Sequence, residues 1–460
     1  MSGNWHEETA LALGAGIAKG RIDPVELTEH FLERIAKHDP ERRTYLRTTP
    51  ARARAEALAA RRRAKEGLRV SPLDGVPVSW KDLFDTAGDV TAHGSLTLQE
   101  RVAQSDALVV QRAARAGLIC LGKTSQTEFA YSILGINPKT GTPANPFDAK
   151  VERAPGGSSS GAAVSVAAGL AAGAIGSDTG GSVRVPSAWN GLVGLKTTFG
   201  RLPLEGALPL SPSMDTVGPL ARNAEDCAAL FSILDGRGGV GAAQPVDLAG
   251  ASLGEMRLLA PKAGLLWRDL EDGIGDVLEA ALGRLAKAGA RIAAGEAPEF
   301  DEADAALTRY GPYHSAEAYA LWKDAVEARP NLVFKPVLER MRFGATIGAT
   351  ALETVKAILR GLGDNVTARI RAEGAIVAPT AAISPPPIAR LETDFEFYAK
   401  ANVKGLRNTR LVNFLGLSAI TVPCGKDTTG IPVGLMLIGA AGWDERLLRM
   451  AKAIEAALAD

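Results

Sequence analysis

The chain has 460 residues, 46% of them hydrophobic and 23% charged, which supplies a large buried core and excludes a disordered chain. Its 52 lysines and arginines balance 52 aspartates and glutamates, so no net field draws in nucleic acid or an anionic membrane, and small neutral partners fit better. Three cysteines, Cys120, Cys227 and Cys424, stand far apart in apolar contexts such as LICLG and TVPCG and read as reduced core thiols of a cytoplasmic protein.

The start MSGNWHEETA is polar and acidic, so no targeting segment is expected. Asp23, Pro24 and Glu26 predict a helix entrance, with Asp23 as cap, Pro24 at the first helical position and Glu26 reaching back. Leu27, Phe31 and Ile35 give that helix its apolar stripe. A second helix is predicted over 51–66, where Arg61, Arg62 and Arg63 read as a solvated face. From Leu73 onwards short apolar runs are punctuated by Gly and Pro: GVPVSWKD, a helix over 105–116, then LICLG, and later GLVGLK, MRLLAP, GAIVAP, AITVPCG and VGLMLIG. This alternation predicts an α/β fold in which one sheet, covered by helices on both faces, recurs through a single domain over 1–460. Asp235 to Ser252 is Gly-rich and reads as a connection. The region 269–363 reads as helical, its Tyr310, Tyr313, Tyr319, Trp322 and Phe334 serving packing or a cover over a substrate pocket.

Ala154 to Ser177 carries no charge, a length that raises a membrane span. Six glycines and five serines within it point instead to a buried helix followed by a buried strand. This stretch and the SDTGGSVRVP that follows it hold clusters of Gly and Ser. A serine hydroxyl needs a base, yet the chain has only His6, His30, His38, His93 and His314. Gly157, Ser159 and Gly161 match the G-x-S-x-G nucleophile elbow, but the preceding AKVERAPGG is not a strand, and the elbow would need His314 with Asp301 or Asp304. Neither the phosphate-binding loop pattern nor GxGxxG is present, and scattered His and Cys give no zinc set, so no metal and no cofactor are expected.

The base left over is a lysine. Lys81 ends the run GVPVSW, and burial beside neutral hydroxyls lowers a lysine pKa towards neutrality, although taken alone Lys81 reads equally as a surface lysine. In SDTGGSVRVP the glycines before Ser182 let backbone N–H groups turn inward as a nest for an oxyanion, with a helix starting at Ser182 adding its positive end; a plain tight turn accounts for Gly-Gly as well.

Taken together, PLDGVPVSWKDLFDTAG, GKTSQTEFAYS, APGGSSSG, SDTGGSVRVP and GLVGLKTTFGRLP, followed by VAPTAAISPPP, NFLGLSAITVPCG and GIPVGLMLIG, resemble the amidase signature family in its own order. The resemblance runs from about Leu73 to the C-terminal helix, with the signature core over 71–223. It implies a large mixed, twisted central sheet with helices on both faces. It also implies Lys81 as catalytic lysine, Ser182 as nucleophile and Ser158 as bridging serine after a cis Gly157–Ser158 peptide. The N–H groups of Thr179, Gly180, Gly181 and Ser182 would form the oxyanion hole. The implied reaction is hydrolysis of a carboxylic acid amide to the acid and ammonia or an amine through an acyl-Ser182 intermediate, with no metal or cofactor.

Asp74 stands where the family often has His, and Asn190 where it has Cys or another small residue; both are expected to alter the pocket. Phe129 and Tyr131 sit where the family's acyl-pocket loop lies and suggest an apolar or aromatic acyl group. Arg309 and Tyr310 serve a substrate carboxylate only if they face the pocket. The family also contains the amidase component of the tRNA-dependent amidotransferase, but TEFAYSILGIN departs from its DEFAMGSSTEN-like stretch, which favours a free-standing amidase and leaves a homodimer open. A non-catalytic binder with the same fold would not need Lys81, Ser158 and Ser182 together.

Overall fold

The apolar runs converge on one sheet. In the computed structural model, which describes residues 3–41, 43–236, 245–250 and 252–459, the strands are β1 Tyr45–Thr48, β2 Pro77–Lys81, β3 Ile119–Thr124, β4 Gly173–Asp178, β5 Val193–Lys196, β6 Thr216–Ala221, β7 Arg257–Ala260, β8 Arg291–Ala294, β9 Ala375–Pro379, β10 Ser418–Lys426 and β11 Pro432–Gly439. They form an 11-stranded sheet in the order β1-β3-β2-β4-β6-β5-β10-β11-β9-β7-β8. β2 runs parallel to β3 and β4, and β7 to β8 and β9, while the other pairs are antiparallel, so the sheet is mixed and draws on the chain from Tyr45 to Gly439. Every residue of β2, β3, β4, β5, β6, β9 and β11 is buried, as expected of strands covered on both faces.

Three strands escaped the sequence pattern for separate reasons. β1 and β8 are four-residue strands at the two sheet edges, too short and too polar for an apolar run. β6 contains Pro219, which normally argues against an interior strand. Here β5 pairs with β6 only at Leu220 and Ala221, so Pro219 has no missing N–H to supply on that side. β8 also interrupts the region expected to be helical over 269–363, whose helices are Ile274–Lys287, Pro298–Tyr310, Tyr313–Ala328, Lys335–Gly344 and Ala349–Glu373. Within the expected connection from Asp235 to Ser252, residues 237–244 and 251 lie outside the described residues.

The first predicted helix, Pro24–His38, is capped by Asp23 accepting from Val25 N at 2.7 Å, and it buries Leu27, Phe31 and Ile35. The next, Pro50–Glu66, does not leave its basic run wholly solvated: Arg63 pairs with the buried Asp74 at 2.6 Å and Arg61 with Asp23 at 2.8 Å. The uncharged stretch forms the helix Ser160–Ala167 and then β4, and no helix among the described residues is long and apolar enough to cross a membrane. Because β2 and β4 are parallel neighbours, their carboxyl ends, Lys81 and Asp178, open on the same edge of the sheet, where α/β sheets place their ligand crevices.

Candidate active site

Lys81 is the last residue of β2, fully buried, and its Nζ donates to Ser158 Oγ at 2.7 Å and to Ser177 Oγ at 2.8 Å. Burial pushes the ammonium pKa down to about 7, against the upward pull of Asp178 and Asp215. The peptide Gly157–Ser158 is cis, as the resemblance implies. Gly157 N donates to Ile133 O at 2.6 Å, and a Cβ on Gly157 would come within 2.7 Å of Gly135 Cα, so the turn admits no side chain there. Ser159 is turned away: its hydroxyl donates to Ser177 O at 3.3 Å, which excludes it as a free nucleophile and disposes of the G-x-S-x-G reading.

Ser182 sits in a turn built around Asp178, the last residue of β4. The Asp178 carboxylate accepts from Gly181 N at 2.7 Å, Val183 N at 3.1 Å, Arg184 Nη2 at 2.9 Å and Asn413 Nδ2 at 3.0 Å. Burial pushes this carboxyl up, and the Arg184 guanidinium, Asn413 and Lys196 outweigh it and hold the group well below the usual carboxylate range. Gly181 has φ of 128°, and a Cβ there would lie 2.1 Å from Thr409 Oγ1, so only glycine fits. The Gly181 N–H therefore differs from the expected nest: it is spent on Asp178. The amides of Thr179, Gly180 and Ser182 make no hydrogen bond among the described residues, and all three residues line one cavity. The helix that follows starts at Arg184, two residues later than expected, because Asp178 caps the turn and not Ser182. The Ser182 carbonyl accepts from Ser159 N at 3.3 Å, which ties the two serine clusters together; no hydrogen bond joins the Ser158 and Ser182 hydroxyls among the described residues.

A buried lysine poised near neutrality, bonded to a serine beside a second serine in an amide-lined turn, is a site for serine chemistry without histidine. The family model described as Amidase matches residues 26–448. The chain belongs to the amidase family. It is an enzyme of the hydrolase class acting on carboxylic acid amides. A 2-amino-5-chloromuconic acid deaminase of Comamonas testosteroni is 36% identical over 443 residues, covering 96% of this chain and 94% of that protein. The amidase component of the glutamyl-tRNA(Gln) amidotransferase of Acinetobacter baumannii is 33% identical over 480 residues, again covering 96% and 94%. The crystal structure of the native peptide amidase of Stenotrophomonas maltophilia superposes with a TM-score of 0.82 at 29% identity, over 99% of this chain and 98% of that one.

The amidase cavity that Ser182 lines is also lined by Tyr131, His314 and Arg340. Tyr131 is buried, and its hydroxyl bonds Ser315. Arg340 donates to Tyr131 O at 2.6 Å and lies 4.3 Å from the centre of the Tyr131 ring, yet it makes no ion pair among the described residues. His314 is held between Tyr131 and Phe414, its Nδ1 is buried without a partner, and burial, with Arg340 and Arg410, pushes its pKa down to about 3. It is no triad histidine: Asp301 pairs with Arg268 at 2.9 Å and Asp304 with Arg410 at 2.5 Å.

Other expected positions in this amidase fall elsewhere. Phe129 does not line the Ser182 cavity; with φ of 51° its ring packs on His93 and Trp322 at 5.6 and 5.3 Å. Arg309 is exposed over Tyr310, at 5.1 Å, and does not face the site. Asp74 and Asn190 leave the pocket unaltered: Asp74 binds Arg63 and Val70 N, while Asn190 Nδ2 donates to Pro155 O at 2.6 Å and Pro186 O at 2.8 Å. Two functional neighbours carried no sequence signal of their own: Ser177, which lies in the motif beside Asp178, and Asp215, which accepts from Thr179 Oγ1 at 2.5 Å. Arg340 was hidden too, as one of several arginines on a polar helix with no telling spacing to Ser182.

Proposed function

We propose that this amidase hydrolyses a small amide bearing a carboxylate on its acyl side, through an acyl-Ser182 intermediate. Neutral Lys81 accepts a proton from Ser182 by way of Ser158, and the Ser182 oxygen attacks the amide carbonyl. The oxyanion is met by the free amides of Thr179, Gly180 and Ser182. As the C–N bond breaks, the Ser158 hydroxyl gives a proton to the nitrogen and recovers one from Lys81. Water then attacks the ester along the same relay and releases the acid. The observation that carries this reading is the Lys81 Nζ to Ser158 Oγ hydrogen bond of 2.7 Å on a lysine whose pKa is about 7.

Support for the carboxylate comes from Arg340, a guanidinium in the Ser182 cavity without an acidic partner among the described residues, with the unpartnered His314 Nδ1 beside it. The relative from Comamonas testosteroni is likewise named for an acid. Three free, buried cysteines fit a reducing compartment. Ammonia release from succinamate and butyramide tests the reading, with Ser182→Ala as control. Release from succinamate that vanishes in the variant supports it; equal release by the variant removes Ser182 from its role. Activity appearing only with charged tRNA and added partner proteins would favour the amidotransferase reading, which the 33% identity to an amidotransferase component keeps in view.

A further inference from the structure

Beside the relay lies a second cavity of about 260 Å³, which shares Ala130, Thr179 and Leu210 with the Ser182 cavity and continues past them. Its walls are mainly apolar, including Leu83, Leu204, Ala207 and Leu208, on a segment fixed by backbone pairing of Ala207 with Phe84 and by Leu208 N donating to Leu83 O at 2.9 Å. Two polar side chains from the catalytic region reach it, Ser177 and Asp215. Neither is available to an occupant as a charge. Ser177 Oγ accepts from Lys81 Nζ, and both Asp215 oxygens are taken, one by Thr179 Oγ1 and the other by Leu210 N and Ser211 N at 2.9 and 3.0 Å. An apolar occupant is what such walls favour, and a dry cavity of about 150 Å³ already holds benzene.

The side of the site on which this cavity opens decides what enters it. The nitrogen of the scissile amide must face the Lys81–Ser158 relay to be protonated as it leaves, and Ser177, which caps that relay, is a wall of this cavity. The acyl group, with its carboxylate, is drawn the other way, towards Arg340. We infer that the second cavity receives an apolar N-substituent of the substrate, so that the enzyme cleaves secondary amides with an N-alkyl or N-benzyl group as well as primary ones. This rests on the amidase reading above. The chemistry balances without a further reactant: the Ser182 Oγ–carbonyl bond forms, the C–N bond breaks, the nitrogen takes its proton from Ser158 and departs as a primary amine, and water completes the hydrolysis.

The test is a comparison of kcat/KM for succinamate and N-benzylsuccinamate, which share an acyl group, in the natural enzyme and in Ala207→Phe and Leu204→Ala. The expected result is benzylamine release by the natural enzyme, a secondary-to-primary ratio at least tenfold lower in Ala207→Phe, and a ratio for the larger N-(2-naphthylmethyl) amide that rises in Leu204→Ala. Turnover of succinamate without any of the N-benzyl amide overturns the inference and leaves the amidase reading standing. So does an Ala207→Phe enzyme that slows both amides alike, provided Leu204→Ala also leaves the ratio unmoved. Turnover of neither amide by the natural enzyme overturns the amidase reading and this inference with it.

Discussion

Lys81 Nζ and Ser158 Oγ are 2.7 Å apart, and both side chains are fully buried. A lysine in that setting accepts a proton only when neutral. Burial has lowered its pKa to about 7, so the neutral form grows as pH rises through that value. The kcat/KM profile should therefore climb with pH, with a midpoint near 7, and level off above it. Lys81→Arg should not restore activity lost in Lys81→Ala, because a guanidinium stays charged throughout.

Asp215 acts on Lys81 from the far side of Thr179. Its carboxylate raises the Lys81 pKa, so Asp215→Asn should move the acid limb of the profile to lower pH. Burial has itself raised Asp215 to about 6, so this effect is confined to pH values at which it is ionised. The same substitution alters the partner of Thr179 Oγ1 beside the oxyanion site, and kcat should fall about tenfold, less than the cost of removing an oxyanion donor outright. Steady-state profiles of the two enzymes check both parts.

Arg340 should set the preference for acidic substrates. A charged hydrogen bond contributes about 1.5–3 kcal/mol, so Arg340→Met should lower kcat/KM for succinamate about 10- to 100-fold relative to butyramide. Rates on the two amides under the same conditions give this ratio directly.

Arg184 and Asp178 form an ion pair in which both side chains are fully buried, at 2.9 Å. Removing one partner of such a pair costs about 3–5 kcal/mol, because the other charge is left without compensation. Arg184→Met should lose that much in urea unfolding, and Asp178→Asn combined with it should lose less than the two single changes added together. An additive double variant would contradict the pairing.

Much of the site was legible because the motifs are contiguous and their chemistry is local. Lys81 ends a buried apolar run, and the Gly-Ser turns around Ser158 and Ser182 are written in consecutive residues. What was hidden depends on orientation or on distant chain. The Gly181 N–H was expected in the oxyanion nest, but its peptide plane faces Asp178, and no residue pattern states which way a glycine peptide turns. Phe129 was expected in the acyl pocket, but the positive φ at Phe129 and Ala130 swings its ring towards His93. His314 and Arg340 come from helices far along the chain, and only the packing of those helices brings them to Ser182. In the fold, most strands lay on apolar runs, whereas β6 was masked by Pro219 and β1 and β8 by their brevity and edge position.

The most direct test of the central claim is to map the serine that becomes acylated. After treatment with an aryl sulfonyl fluoride at about pH 8, where Lys81 is mostly neutral, intact-mass and peptide mass spectrometry should find one adduct, on the peptide carrying Ser182, and the yield should collapse in Lys81→Ala. An adduct on Ser158 or Ser159 in place of Ser182, or undiminished labelling without Lys81, would contradict the relay.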